Sequence, residues 1–326
     1  MEKNCLVTQL KSKTGNTDLP VMGFMKIKIS SITELNEDAW NVFSFSPIEG
    51  KSVTVKILGE GYIYSSSENR NTNTSGVKSI TFSTSTLLFF SNGDYEILIE
   101  KYTVAAITSG NDSLRSDSIH FDYKTFENSN LTELLIRFKE NSKGNTTYPL
   151  NISGSIKNLP NTITDIHIYG DNEHPVNLED LSQIAMNLNK LRIVAVNYSS
   201  GSFDDVDFNK VMERFDVSFC NFTGNIENVP IAINNNMNYG KNSFYGNVRE
   251  PIERMAKNAT AAKDVFFYVE NNKDKIFWRD TTFSALPKPG WLYLTLDGAS
   301  GVTVYGDEAR TNLLGSFNGT TWSYPS

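Results

Sequence analysis

The chain is short of the residues that carry most catalytic and metal chemistry. Its 326 residues include two cysteines, Cys5 and Cys220, and three histidines, His120, His167 and His174. Cysteines so few and so far apart argue against a disulfide framework and favour assembly in a reducing compartment. No zinc-ligand spacing, phosphate-binding loop or nucleophile elbow occurs in the sequence. We therefore predict no enzymatic activity, no catalytic residue, no metal site and no cofactor.

Long hydrophobic runs and an excess of basic charge are also missing. No window approaches the ~18 consecutive apolar residues of a membrane-spanning helix. The N-terminus lacks the apolar core and cleavage site of a secretion signal. Lys and Arg number 30 against 37 Asp and Glu, which leaves a net charge of −7. These features predict no membrane span, no nucleic-acid partner and a chain that is made and retained in a cytoplasm.

Polar uncharged residues and aromatic residues are what the chain has in quantity. Aromatic residues make up 12% of it, which is too many for a disordered chain. Much of the polar content is Asn, Ser and Thr, which favour turns, caps and strand surfaces over helix interiors. The composition therefore predicts a mainly β protein with many turns.

Four short segments share a glycine that is followed by Ser or Asn and then by an apolar residue. Their glycines are separated by 47, 23 and 22 residues, and 47 is close to two steps of the same length. One unit between Gly154 and Gly201 would then have lost its glycine. The candidate for this unit is residues 174–184, which are predicted to form a short helical insertion. A period of about 22–24 residues lies within the leucine-rich-repeat range. The segments are ISGSI, SSGSF, FTGNI and FYGNV, with Gly154, Gly201, Gly224 and Gly246 at their centres.

The other half of each unit is predicted to be a short strand. Its apolar residues are spaced by three and then by two, and Asn or Cys follows three positions later. ITDIHIYGD fits with Asp171 in the polar place, and LNKLRIVAV fits less well. The apolar side chains would point into a narrow core that is complete only when several units stack. The best match is MERFDVSFC, with Met212, Phe215, Val217 and Cys220 in the four places.

Over residues 125–250 these patterns resemble the leucine-rich repeat family. The resemblance implies a solenoid of parallel strands whose curved exposed face binds partners and does not catalyse a reaction. An irregular β domain with chance similarities is the alternative. Because Ile166 and Ile168 are expected to point inwards, His167 should face outwards as an exposed residue. The candidate binding residues on this face are Arg137, Asp165, His167, Tyr169, Asp216 and Ser218.

Two further β-rich regions flank the repeats. The first has runs of alternating or β-branched residues that predict about five to seven antiparallel strands. Within it, residues 65–76 are expected to form an exposed loop because they are so polar. The second region begins with a short helix predicted over 251–264. The predicted division is an N-terminal arm at 1–20, an antiparallel β domain at 21–115, the solenoid at 116–250 and a small aromatic-rich β domain at 251–326.

Three of the four tryptophans fall in the last of these regions. Such a density of aromatic residues suits either a compact core or a contact surface. We predict that one face packs on the end of the solenoid and another on a neighbouring subunit. The candidate contact residues are Trp278, Trp291, Tyr293 and Trp322.

The segment FDDVDF is the densest acidic cluster among the repeats and contains Asp204, Asp205 and Asp207. An Asp-x-Asp pair can bind calcium, but the twelve-residue loop pattern with its late Glu is missing. We therefore predict a polar turn that opens a short helix.

The N-terminus is similar in style to structural proteins of crAss-like phages of gut Bacteroidetes. Leu10-Lys11 and Asp18-Leu19-Pro20 stand where those openings have a Leu-Lys segment and an Asp-Leu-Pro segment. The resemblance implies a virion component, a head fibre or capsid decoration protein, assembled in the host cytoplasm. The partners it implies are further copies of the chain, with a trimer favoured, other virion proteins such as capsid or tail proteins, and a glycan or protein of the host-cell surface.

Other interpretations remain open. A tail-associated receptor-binding or adaptor protein would share the same features. A bacterial leucine-rich-repeat adhesin should carry an export signal, which this sequence does not show. A polysaccharide-active enzyme would need two carboxylates facing each other across a cleft, and no pair is indicated by the sequence.

Overall fold

The chain is mainly β, as its composition and residue patterns predicted. The computed structural model describes residues 23–29, 40–65, 70–91, 93–109, 119–136, 151–169, 175–194 and 199–325. Several residues singled out in the sequence lie outside the described residues: Cys5, Leu10, Lys11, Asp18, Leu19, Pro20, Arg137, Asp171 and His174.

Among the described residues of the N-terminal region, eight strands are present, and their pairings with one another are antiparallel. Strict alternation explains the first of them, in which Met25, Ile27 and Ile29 are buried and the lysines between them are not. The strands are β1 (Phe24–Ile29), β2 (Trp40–Pro47), β3 (Val53–Ser65), β4 (Arg70–Phe82), β5 (Thr86–Ser91), β6 (Tyr95–Glu100), β7 (Val104–Ser109) and β8 (Ile119–Asp122).

The exposed loop predicted for residues 65–76 was wrong over most of its length. Ser65 ends β3, and residues 70–76 belong to β4, which pairs with β3 from Val53–Phe82 to Ser65–Arg70. A high content of turn-forming residues is only a weak argument against a strand, because hydrogen bonds to a partner strand can still pair the backbone N–H and C=O groups. Residues 66–69 lie outside the described part of the chain.

The next ten strands are short, and they pair in parallel with one another or with a strand before or after them. β7 pairs in parallel with the first of them and β8 with the second, so the antiparallel region continues directly into the parallel one. The strands are β9 (Glu133–Ile136), β10 (Asn151–Ser153), β11 (Asp165–Tyr169), β12 (Lys190–Val194), β13 (Val211–Met212), β14 (Arg214–Asp216), β15 (Thr223–Asn225), β16 (Ile231–Ala232), β17 (Met237–Asn238) and β18 (Ser243–Asn247).

Strands β9, β11, β12 and β14 stand side by side in one ladder. Leu134 is level with Ile166, Leu191 and Phe215, and all four side chains are buried. The spacing of three and then two therefore does mark the inward positions of successive strands.

The repeated Ser or Asn after each glycine has a specific structural role. Its side-chain oxygen accepts a hydrogen bond from the backbone N–H two residues later, which closes the turn that follows. Asn177 forms the same turn without a preceding glycine. The capping residues are Asp122, Ser155, Asn177, Ser202, Asn225 and Asn247, with oxygen–nitrogen distances of 2.8–3.2 Å.

The glycines themselves make room for the cap of the preceding unit. Gly246 has φ +105°, and a Cβ atom there would lie 2.3 Å from Oδ1 of Asn225. Gly154 has φ +76°, and its Cβ would lie 2.3 Å from Oδ1 of Asp122. The Gly-Ser and Gly-Asn pairs thus arise because each unit caps its own turn and accommodates the cap before it.

Cys220 occupies the polar place of its unit, as predicted, and is fully buried. Its Sγ donates to the carbonyl oxygen of Ile193 on the neighbouring strand at 2.9 Å. Asn242 does the same one unit later, where Nδ2 donates to the carbonyl oxygen of Val217 at 2.8 Å. Asn272 is also buried, and it follows Phe267 and Val269 at the same intervals at which Cys220 follows Phe215 and Val217.

The C-terminal region contains one α-helix and seven strands. The predicted helix is present but begins two residues earlier and ends at Asn258, because residues 262–264 already belong to a strand. The elements are α1 (Arg249–Asn258), β19 (Ala262–Tyr268), β20 (Ile276–Trp278), β21 (Thr281–Thr282), β22 (Trp291–Asp297), β23 (Val302–Tyr305), β24 (Leu313–Phe317) and β25 (Trp322–Ser323). Six short 3-10 helices complete the described elements: Tyr123–Phe126, Ile156–Asn158, Leu178–Leu181, Ala185–Asn187, Glu270–Asn272 and Phe283–Ala285.

Parallel pairing continues across residue 250. β17 pairs in parallel with β19, and β18 pairs in parallel with β20. β19 then pairs antiparallel with β22, which begins a run of antiparallel strands through β23 and β24 to β25. The C-terminal sheet therefore includes β17, a strand from before residue 250, and is separate from the sheet that holds β9, β11, β12 and β14.

Candidate binding face

The outward side of the β11–β12–β14 ladder collects charged side chains from three strands. Alternation places Asp165 and His167 on one side of β11, opposite the buried isoleucines. Asp165 is level with Lys190, and His167 is level with Arg192 and Asp216. We call these five residues the strand face.

Opposite charges meet between neighbouring strands of this face. Nζ of Lys190 lies 3.2 Å from Oδ2 of Asp165 and 3.6 Å from a carboxylate oxygen of Glu213. The guanidinium of Arg192 lies 3.4 Å from Oδ2 of Asp216. Cross-strand pairs of this kind hold neighbouring side chains in a defined arrangement.

Carboxylates around Lys190 favour its charged form. Burial opposes the charge on Lys190, but the hydrogen bond to Asp165 and the nearby charges of Glu213 and Glu133 outweigh it, so the pKa of Lys190 is raised. Lys190 therefore stays protonated at any physiological pH.

The prediction that His167 is exposed was wrong. The residue is only 4% exposed, and Asp165 beside it is 9% exposed. Alternation correctly places His167 on the outward side, but its side chain is covered there. Oδ1 of Asp165 and Nε of Arg192 are buried and have no hydrogen-bond partner among the described residues.

Ser218 is buried and contacts the strand face through Asp216. It is 3% exposed, and both its N–H and its Oγ donate to Oδ1 of Asp216, at 3.1 and 2.8 Å. The residue therefore orients Asp216. Tyr169 ends β11 level with Val194, its side chain lies outside the described part, and Arg137 lies outside it altogether.

Beyond β14 the outward side changes from charged to aromatic. β17 lies beside β14, and Asn238 of β17 is level with Tyr268, which in turn is level with Trp291. Phe215 and Met237 are both buried, so the residues that follow them, Asp216 and Asn238, both point to the outward side. The strand face and the aromatic residues thus lie on the same side of neighbouring strands, although β14 and β17 belong to different sheets. Together they are called the outward surface.

Four aromatic rings and one lysine form the aromatic end of this surface. The ring of Trp291 lies 4.2 Å from that of Tyr268, 5.1 Å from that of Phe266 and 6.1 Å from that of Tyr293, measured between centroids. Nζ of Lys288 lies 4.6 Å from the Trp291 centroid. The hydrogen bond from Lys288 to the Tyr293 hydroxyl raises the pKa of that lysine. We call these five residues the aromatic cluster.

Of the predicted contact residues in this cluster, Trp291 is half-buried, whereas Tyr293 is only 5% exposed, so a partner cannot contact its ring directly. The other two predicted contact residues lie elsewhere. Trp278 is 3% exposed and its ring packs edge-on against Trp322 at 5.1 Å. Nε1 of Trp322 donates to Oε1 of Glu253 on α1. Trp278 therefore belongs to the core, where a partner cannot contact it directly, while Trp322 is only half-buried.

Several residues of the surface were missed in the sequence. Lys190 and Arg192 stand in LNKLRIVAV at the places that Asp165 and His167 occupy in ITDIHIYGD, so their alignment with the repeat was a usable signal. Tyr268 gave no such signal, because its place depends on pairing with strands before and after it.

Comparison with known proteins found no matching family model, curated protein or solved structure. Among the described residues, no three or more His, Cys, Asp or Glu side chains are grouped so that they could hold a metal ion. No helix in that part of the chain is both long and apolar enough to cross a membrane. The geometry of the surface is therefore the basis for a functional proposal.

Proposed function

We propose that this chain is a non-enzymatic structural component of a phage virion, a head fibre or capsid decoration protein. In this proposal it associates with copies of itself and presents a binding surface to other virion proteins or to a host-cell glycan or protein. The observation that carries the binding role is the outward surface, which has the strand face on one sheet and the aromatic cluster on the neighbouring one. The virion setting comes from the resemblance of the N-terminal segment.

The surface has the character of a contact site. Trp291 and Tyr268 are only half-buried, and aromatic side chains with an accessible face contribute strongly to interfaces. The charged end holds both signs within a few ångströms, so it favours a partner whose charges match its pattern. Self-association through the aromatic end would leave the charged end available for a second partner.

The leucine-rich-repeat assignment is part of this proposal. It is supported by the parallel pairing of β9, β11, β12 and β14. The hydrogen bonds of Cys220 and Asn242 to the preceding strand support it as well. Solenoids of stacked repeats commonly bind through an extended strand surface.

The native mass of the full-length chain at micromolar concentration tests self-association. We expect a discrete trimer by native mass spectrometry or light scattering. Trp291→Ala should weaken the trimer by tenfold or more, since a central interface tryptophan contributes about 2 kcal/mol or more. Met186→Ala is the matched control, because Met186 is 59% exposed and lies outside the surface. A wild-type chain that stays monomeric contradicts self-association.

Mass spectrometry of purified particles tests the virion role. A phage that encodes this chain should contain it in gradient-purified particles in a fixed ratio to the capsid protein. A chain found only in the lysate, and never in particles, would overturn the virion assignment.

A tail-associated receptor-binding or adaptor protein, or a bacterial leucine-rich-repeat adhesin, is the second candidate. The charged strand face favours it, because that face needs no second copy of the chain to be complete. A monomeric chain that binds host cells, and loses this binding on replacement of Arg192, would support the second candidate.

A further inference from the structure

A groove of about 620 Å³ opens at the amino-terminal edge of the parallel strands. Residues 127–130, which precede β9, form one wall. Residues 157–162, which precede β11, form the other wall together with Gln183. None of these residues belongs to the strand face or to the aromatic cluster.

The groove is built on a fixed backbone. Oγ1 of Thr162 donates to the carbonyl oxygen of Leu131 at 2.7 Å, which ties one wall to the other. The N–H of Leu131 donates to Oγ of the buried Ser129 at 3.3 Å. Leu159 and Pro160 are also buried and give the groove a small apolar floor. A site held in this way needs little reorganisation to bind a ligand.

Side-chain amides dominate the chemistry of the groove. Asn128, Asn158, Asn161 and Gln183 line it, and their amide groups form no hydrogen bond within the part of the chain that the structure describes. Each amide offers two N–H donors and one carbonyl acceptor. The charged residues of the lining, Glu127 and Lys157, have opposite signs, so the groove has little net charge.

We propose that this groove binds a neutral oligosaccharide of about two or three sugar units. Sugar hydroxyls both donate and accept hydrogen bonds, which matches amide side chains better than it matches charged groups. The volume lies within the range of about 300–1,000 Å³ that is usual for small-ligand sites. A bound peptide would need apolar pockets for its side chains, and the floor of Leu159 and Pro160 is too small to supply several. The proposal adds a second site to the proposed function and does not depend on self-association.

The test uses the full-length chain and a panel of neutral trisaccharides of glucose, mannose, galactose and N-acetylglucosamine. A sialylated trisaccharide and an uncharged hexapeptide serve as comparisons. Saturation-transfer NMR at millimolar ligand should detect at least one neutral trisaccharide, and calorimetry should then give its affinity. The double variant Asn158→Ala/Asn161→Ala should weaken that affinity by about tenfold or more, because it removes several hydrogen-bonding groups.

Asn271→Ala is the matched control, since Asn271 is exposed and lies outside the groove. It should leave the affinity unchanged, and circular dichroism should show that all variants keep the wild-type fold. The proposal is overturned if no neutral trisaccharide binds or if the double variant binds as well as wild type. It is also overturned if only the sialylated sugar or the peptide binds. None of these outcomes bears on the native mass of the chain, so the two proposals can fail separately.

Discussion

Single side chains that bond to the backbone of a neighbouring unit hold the parallel ladder together. Asn242 is the clearest case, because its Nδ2 donates to the carbonyl oxygen of Val217 and its Oδ1 accepts from the N–H of Phe222. The residue is 2% exposed, so either backbone group would be left buried and unpaired without it. At the turns, Asn225 plays a comparable role by closing its own turn beneath Gly246.

Replacing Gly246 by alanine should destabilise the chain by about 2 kcal/mol. The positive φ contributes about 1 kcal/mol of strain, and the methyl group displaces Asn225 from its capping position, which costs about 1 kcal/mol more. Urea denaturation measures the change. Gly50→Ala is the control, because Gly50 also has positive φ (+73°) but its Cβ would meet nothing within 4 Å.

A double-mutant cycle identifies the cause of this effect. In an Asn225→Ala background no cap remains to be displaced, so Gly246→Ala should cost about as much as Gly50→Ala. An unchanged cost in that background would show that the cap of the preceding unit is not the reason for the glycine.

Among the elements, the turns are linked to one another by Asp204. This residue lies in a turn. The short helix predicted for FDDVDF was wrong, because no helix lies between Asp204 and β13. Its carboxylate accepts from the N–H of Asn225 at 2.9 Å, from Nδ2 of Asn228 at 2.7 Å and from the hydroxyl of Tyr245 at 2.7 Å. One side chain thus joins the turns of three successive units.

The stability that Asp204 provides should depend on pH. Burial opposes its charge, but the hydrogen bonds from Asn228, Tyr245, Asn225 and Ser202 outweigh burial and lower its pKa. A folded-state pKa below the unfolded one gives stability that is complete above the unfolded pKa and disappears as pH falls through the folded pKa. Asp204→Asn should therefore be less stable than wild type at pH 7, and the difference should shrink below about pH 4.

Urea denaturation at several pH values between 7 and 3 measures this difference. Asp205→Asn is the control, because Asp205 is exposed and its carboxylate forms no hydrogen bond among the described residues. A difference between Asp204→Asn and wild type that stays constant over the whole range would contradict the role given to the charge.

Across the whole molecule, parallel pairs connect the regions in three separate sheets. β7–β9 and β8–β10 lie in the sheet of the antiparallel region, β17–β19 lie in the C-terminal sheet, and β18–β20 lie in a third sheet. Large side chains such as Tyr239 and Phe244 are fully buried near the junction with the C-terminal sheet, where the ring of Tyr239 lies 5.8 Å from that of Phe267. The C-terminal region therefore covers apolar surface that the parallel strands cannot bury alone.

Deletion of residues 251–326 should prevent the remaining chain from folding cooperatively. The truncated chain would expose the inner sides of β17 and β18, so we expect binding of a hydrophobic dye and a broad thermal transition. Truncation is for this reason a poor test of self-association, and Trp291→Ala is the better one. A truncated chain with a sharp transition and no dye binding would show that the C-terminal region folds separately.

Much of the fold could be predicted from local patterns, and the site only in part. The spacing in MERFDVSFC predicted the inward positions and the role of Cys220, because those depend on one strand and its neighbour. The same pattern continues in Met237, Tyr239 and Asn242, where it was missed because the residue three before Met237 is polar. For the site, alternation predicted that Asp165 and Asp216 point to one side of the sheet, whereas the ion pairs between the strands depend on the strand register.

The sequence by itself determined the β-rich class, the inward and outward sides of the strands and the turns closed by Ser or Asn. These follow from alternation and from hydrogen bonds within a few residues. Only the tertiary structure decided that His167 is buried, that residues 70–76 form a strand, that Trp278 lies in the core and that Trp291 is level with Tyr268. The physical reason is that burial of an outward side chain, and pairing of a polar strand, depend on residues that are distant in the chain.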